Sequence, residues 1–260
     1  MSKTIFVGAR KGGVGKTMTA ASLGFGLARQ GKRVLLLDCD SQHSLTVSLG
    51  IREPDKLNTT LASVMTDIIN ERDADPAAGI VRHDEGVDFL PASAGLTGIE
   101  LALTQLIGRE TVLRQYIDRV KGGYDYVIID TAPSLDLLTV NALAAADSAI
   151  VPVCPKYLDA LGLEQLLKAV AQIKRQINPT LAIDGILLTM VDRRANLTRE
   201  VIASIENAYG KSIRIFDGHV PQSVKAAECS AQGVSIYAHD PNGKVAGAYN
   251  SLVGEVLRRG

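Results

Sequence analysis

Three cysteines, Cys39, Cys154 and Cys229, are all that this 260-residue chain contains, and no two of them form a C-x-x-C pair. Their odd number and wide spacing argue against a disulfide framework, a zinc site or a redox couple, and fit a reducing cytosol. Net charge is missing too: 28 lysines and arginines balance 28 aspartates and glutamates. Any anion must then be held by a local patch, because the field of the whole chain is weak. No apolar run reaches membrane-spanning length, and the N-terminus has no cationic stretch ahead of a long apolar core. Membrane insertion and secretion are therefore not expected. Internal repeats and low-complexity tracts are also absent. What remains is 46% hydrophobic, enough to bury a full core, and no boundary divides it; residues 1–260 are read as a single domain.

Short β-branched or aliphatic runs recur along the chain: Ile5 to Val7, Val34 to Leu37, Val87 to Leu90, Tyr126 to Ile129, Ala149 to Val153, Ile186 to Met190 and Ile213 to Phe216. They read as buried strands. Helical spacing lies between them, most clearly in Leu163, Leu166, Leu167, Val170, Ile173 and Ile177, a face that Asn178 and Pro179 terminate. The polar stretch from Arg52 to Glu85 reads as a surface excursion. Strands alternating with helices predict an α/β fold, a doubly wound, mostly parallel sheet flanked by helices, with ligands at the carboxyl ends of the strands.

The first strand runs into Gly8-Ala9-Arg10-Lys11-Gly12-Gly13-Val14-Gly15-Lys16-Thr17, and a helix-compatible run follows. Strand, glycine loop and helix, in that order, form a phosphate cradle. Glycine leaves the backbone free to wrap its N–H groups around a β-phosphate, and the helix start adds its positive dipole end. Lys16 is placed to bridge the β- and γ-phosphates, and the Thr17 hydroxyl to ligate Mg2+. Residues 12–18, including Val14 and Met18, are the candidate contacts for ATP or ADP. Two further strands end in carboxylates, at Asp38 and Asp40 in Leu37-Asp38-Cys39-Asp40-Ser41-Gln42, and at Asp130 in Ile129-Asp130-Thr131-Ala132-Pro133. A strand-end aspartate beside a phosphate loop is the expected form of a Walker B residue. A dinucleotide site is disfavoured, because G-x-G-x-x-G would put neither a lysine nor a hydroxyl on the phosphates.

Arg10 replaces the first glycine of G-x-x-x-x-G-K-T, and a second lysine, Lys11, precedes the glycine pair. This deviant Walker A resembles that of the ParA/Soj partition ATPases, a P-loop NTPase family whose relatives include the MinD division-site ATPases and the nitrogenase iron proteins. The resemblance covers nearly the whole chain. It implies that Lys11 reaches across an ATP-dependent homodimer to the partner's nucleotide, that Asp40 orients the attacking water, and that Asp38 and Asp130 belong to the magnesium environment. Thr131 to Ser134 resemble the segment that senses the γ-phosphate. His219-Val220-Pro221-Gln222-Ser223 resembles the loop that packs on adenine, with Pro221 and Ser223 as base contacts. Four family positions differ: Met18 stands for threonine, Ser41 for proline, His43 for glycine and Ser223 for asparagine.

The resemblance further implies slow ATP hydrolysis stimulated by a ParB-like centromere-binding protein, and sequence-independent DNA binding in the ATP state. Such a protein would be cytoplasmic and nucleoid-associated. Arg194 and Lys225 match the DNA-contacting positions by residue type, with Arg193, Arg199, Lys211 and Arg214 in the same third of the chain. A MinD-like membrane role would need an amphipathic C-terminal helix with a bulky apolar face. The end from Tyr249 to Gly260 has no tryptophan or phenylalanine and contains Gly254, so it reads as a helix docked on the core. Cys39 and Cys154 read as structural thiols, not cluster ligands. Sequestration of a transcription factor by the same switch remains an alternative use of the ATPase.

Overall fold

The computed structural model describes residues 2–192 and 194–258. Seven strands, β1 (Lys3–Val7), β2 (Val34–Cys39), β3 (Val81–Arg82), β4 (Asp88–Leu90), β5 (Tyr126–Thr131), β6 (Ser148–Val153) and β7 (Ala182–Leu188), form one sheet in the order β3-β4-β2-β5-β1-β6-β7. All neighbours run parallel except β3 and β4. Strand residues alternate between two cores, as a period of two requires. Phe6, Leu35, Leu37, Val127 and Ile129 face one side; Ile5, Val7, Leu36 and Ile128 face the other.

Helices α1 (Lys16–Arg29), α2 (Ser44–Ser48), α3 (Leu61–Ile69), α4 (Leu96–Leu103), α5 (Val112–Val120), α6 (Leu137–Ala145), α7 (Tyr157–Gln176), α8 (Asn196–Tyr209), α9 (Val224–Gln232), α10 (Ile236–His239) and α11 (Lys244–Leu257) cover the two faces. The face with α3 to α8 takes Phe6 and its set; α1, α2 and α9 to α11 cover the other. The C-terminal helix docks on the core as expected. Val245, Tyr249, Leu252, Val253 and Val256 are buried, and the Tyr249 hydroxyl lies 3.2 Å from Thr19 Oγ1 on α1.

Two sequence expectations need correction. The stretch from Arg52 to Glu85 is more than a surface excursion: it contains α3, which buries Leu61, Val64, Met65 and Ile68 at steps of three and four. Thr60 and Ser63 form its capping box, satisfying the first backbone donors. The run from Ile213 to Phe216 makes no strand. Ile215 forms one isolated parallel bridge with Ile186, and pairing stops because the next residues turn toward α11. There the Asp217 N–H donates to Glu255 Oε1 at 3.1 Å, and the Arg214 guanidinium pairs with the other oxygen.

Glu255 is 1% exposed, so this ion pair fastens α11 to the end of the sheet. Removing one partner of a buried pair leaves an uncompensated charge. Arg214→Met is expected to lower unfolding free energy by about 3 kcal/mol, read from urea denaturation; an unchanged midpoint would show that solvent already screens the carboxylate.

Candidate active site

β1, β5 and β2 are adjacent, and their registers align Val7 with Asp130 and Asp130 with Asp38. The phosphate loop and both acidic strand ends therefore meet at one carboxyl edge. α1 begins at Lys16 directly after the loop, with Gly15 at φ 80° as its N-cap. Gly13 also lies in the left-handed region, at φ 74°, which a side chain would oppose. Gly12 does not need that freedom, and what its missing side chain leaves open is the space 4.0 Å from Pro133 Cγ. Val14 is buried, and its carbonyl accepts a 2.8 Å hydrogen bond from Thr189 Oγ1. Thr189 thus ties the loop to the end of β7, a contact the sequence did not reveal.

Lys16 is only 7% exposed. Its ammonium lies 3.5 Å from the Lys11 carbonyl. Burial lowers its pKa, while Asp130 and Asp40 pull it back up. Asp130 is fully buried, and among the described residues neither carboxylate oxygen has a hydrogen-bond partner. Burial, reinforced by Asp38, pushes its pKa up to about 8; the nearby Thr17 hydroxyl and Lys16 favour the charged form. A buried carboxylate with so little hydrogen bonding, beside a threonine hydroxyl, suits an oxygen-seeking divalent cation.

Asp38 is equally buried but fully engaged. Its Oδ1 accepts from the Asp40 N–H at 3.2 Å, and its Oδ2 from both the N–H and the hydroxyl of Thr46 at 2.7 Å each. Burial still pushes its pKa up to about 6, against those hydrogen bonds. Asp40 is 7% exposed; its Oδ1 accepts from the Gln42 N–H at 2.9 Å, and its carbonyl from the His43 N–H at 2.8 Å. His43, in the family's glycine position, adopts φ 46° and caps α2. The loop keeps a glycine-like backbone despite the larger residue.

Farther along the same edge, Val191 bridges Pro221, and a cavity of about 860 Å³ opens there. Pro221, Ser223, Val224, Arg194, Asp192 and Lys244 are among its lining residues. The expected base contacts and one expected DNA contact thus share one cavity. Ser223 caps α9 by accepting from the Lys225 N–H at 3.2 Å. Lys225 itself lies 3.4 Å from Glu228, which also meets His239 at 3.0 Å. Arg199 leans on Asn196. Arg214, paired with buried Glu255, does not join this cluster, and Arg193 lies outside the described residues. Cys39 and Cys154 are buried thiols outside any disulfide, and no group of three or more potential metal-binding side chains occurs among the described residues.

A glycine loop at a strand end, a buried lysine and a strand-end aspartate define a P-loop nucleotide-binding ATPase. An AAA-domain family model matches residues 2–183. The chain is 38% identical over 260 residues to the sporulation initiation inhibitor protein Soj of Bacillus subtilis, with 100% of each chain covered. It is 36% identical over 259 residues to the chromosome partitioning protein ParA of Caulobacter vibrioides, covering 99% of this chain and 94% of that one. The chain belongs to the ParA/Soj family of chromosome-partitioning ATPases. The structure is also similar, with a TM-score of 0.86 and 35% identity over 100% of this chain and 96% of the other, to a cobyrinic acid a,c-diamide synthase of Mycobacterium smegmatis solved with an ATP analogue and magnesium. Proteins named for different activities thus share this fold, and the surfaces around the site must choose between them.

The raised Asp130 pKa has a consequence for the protein without ligands. A free aspartate titrates near about 4, so the folded chain keeps a proton that the unfolded chain has already released. Stability from this group is complete below the unfolded value and is lost as pH rises through about 8. Asp38 acts in the same direction at lower pH. In metal-free buffer, melting temperature should fall between about pH 4 and about pH 8, and Asp130→Asn should flatten that slope. Parallel wild-type and variant curves would contradict the burial of an unsatisfied carboxylate.

Proposed function

We propose that this chain is a nucleotide-operated switch: two copies close face to face around ATP, bind DNA without sequence preference in that state, and separate after hydrolysis. The observation that carries the reading is the meeting of the phosphate loop, Asp130 and the Asp38–Asp40 loop at one edge, with Arg194 and Pro221 on a cavity of that same edge.

In this reading Lys16 and the N–H groups of residues 12–17 hold the phosphates, with Met18 in the next helical position. Thr17 and Asp130 would hold magnesium, which neutralises phosphate charge when bound. Asp38, whose oxygens are engaged by Thr46 and Asp40, acts from behind them and frames the magnesium environment. Asp40 orients the attacking water. Lys11 completes the partner's site, doing the work of an arginine finger. Few groups contribute beyond position and charge, so turnover is slow and a stimulating partner, a ParB-like protein, is required. Pro221 and Ser223 contact the base.

Closure is supported by apolar side chains exposed near the strand ends: Met190 just past β7, Leu197 in the first turn of α8 and Val224 on the cavity. Exposed apolar side chains gathered at one face mark a surface that another molecule covers. Dimerisation would bring two sets of Arg194 and Lys225 together, so a chain of zero net charge can still hold a polyanion. A nucleoid-associated location would follow. No helix among the described residues is long and apolar enough to cross a membrane.

Four substitutions test the assignment. Lys16→Ala should lose ATP binding in calorimetry. Asp40→Ala should bind ATP and persist as a dimer while hydrolysis drops by at least about 100-fold. Lys11→Ala should bind ATP with turnover reduced by about a thousandfold. Arg194→Glu should abolish DNA binding with ATP affinity intact. Normal turnover in Asp40→Ala would reassign the water-orienting role, and unchanged DNA affinity in Arg194→Glu would remove this surface from the account.

A further inference from the structure

Thr46 makes three polar contacts within one fully buried residue. Its N–H and its hydroxyl both donate to Asp38 Oδ2 at 2.7 Å. The same hydroxyl oxygen accepts from the Ala92 N–H, just past β4, at 2.9 Å. The hydroxyl hydrogen is thereby committed: with its oxygen accepting from Ala92, the proton can point only toward the carboxylate. Asp38 Oδ1 in turn accepts from the backbone N–H of Asp40. A continuous chain of hydrogen bonds therefore runs from β4 through Thr46 and Asp38 to the backbone of Asp40.

We propose that Thr46 is a positioning residue for hydrolysis, fixing the Asp40 carboxylate through Asp38 without contacting nucleotide itself. The inference rests on the assignment of Asp40 as the water-orienting group. Its physical basis is how few hydrogen bonds among the described residues hold this loop. Ser41 and Gln42 form a turn whose side-chain partner is Asp40 itself, and His43 holds a left-handed backbone, at φ 46°, that costs energy in a residue with a side chain. A loop bent that way relaxes unless it is tied at both ends. At one end His43 is tied by its N–H to the Asp40 carbonyl and by its carbonyl to the Val47 N–H; at the other, Asp40 is tied by the chain through Thr46. Small displacements of a group that orients a reacting water cost turnover far more than they cost substrate binding. The phosphate contacts come from the separate loop at residues 11–17, so loosening the Asp40 loop should leave them in place.

The test is a comparison of ATP affinity and turnover in Thr46→Val and Thr46→Ser. Valine keeps the shape and the N–H but removes the hydroxyl, and serine restores it. The expected result for Thr46→Val is ATP affinity within about threefold of wild type, with kcat lowered at least about tenfold; Thr46→Ser should recover most of kcat. If the valine variant does not fold, Thr46→Ala takes its place in the same comparison. Asp40→Ala is measured alongside. If Asp40→Ala is inactive but folded Thr46→Val turns over normally, the inference fails and the assignment of Asp40 stands. If Asp40→Ala itself turns over normally, that assignment fails first. Loss of affinity and kcat in equal proportion would make Thr46 a structural residue only, and would overturn the proposal.

Discussion

A fully buried carboxylate with too few donors does not stay charged on its own, and Asp130, with only the Thr17 hydroxyl and Lys16 among the described residues favouring its charged form, stands in that position at the centre of this molecule. Unpaired buried charge is expensive enough that the group takes up a proton instead. Around it lie two further acidic residues, one fully engaged in hydrogen bonds, and a single buried lysine. Ionised together, the three carboxylates would outweigh the charge of Lys16, an excess that a divalent cation relieves. That imbalance explains why the phosphate loop, the two acidic strand ends and the Thr17 hydroxyl must converge. It would also give the proposed switch its logic: the magnesium ion that accompanies a nucleotide would settle the charge of the carboxylates and, with it, the loops that they hold.

The sheet exists to bring those groups together. β1, β5 and β2 are buried on both faces, which is why their sequences are nearly continuous apolar runs. Such runs announce themselves, and the loop glycines and the strand-end aspartates sit at their boundaries. For that reason the strands that build the site, the start of α1 and the docked C-terminal helix could all be read from the sequence. Elements defined by other means could not. α3 carries an apolar face at helical spacing, but polar and proline-containing flanks hide it, and its cap uses Ser63 where a glutamate would have been the clearer signal. Ile213 to Phe216 has strand-like composition, yet Glu255 draws the chain away after one bridge. Thr46 and Thr189 were invisible because their roles depend on distant partners, Asp38 with Ala92 and Val14, respectively.

The C-terminal third shows how charge counted along a chain differs from charge available in space. Arg214 is spent on a buried carboxylate, and Lys225 pairs with Glu228, a carboxylate that His239 also contacts. Arg194, by contrast, lies on the cavity where Pro221 and Ser223 stand. An acidic residue, Asp192, lines the same cavity and accepts from the Arg194 N–H at 3.0 Å. Arg194 and Lys244, in so mixed a setting, hold a polyanion weakly. Two copies brought together hold it better, because each neutralised phosphate releases counterions and the contributions add. On the proposed function, nucleotide control of DNA binding would need no long-range signal, only a dimer that ATP assembles.

That claim is tested most directly by measuring binding of the purified protein to random-sequence duplex DNA with magnesium and ATP, with ADP, and without nucleotide, across a series of salt concentrations. The account predicts binding with ATP alone, weakening steeply with salt, with log affinity falling by about 0.9 per decade of salt for each phosphate contacted. Binding of equal strength in all three states, or none in any while ATP still assembles the dimer, would contradict it.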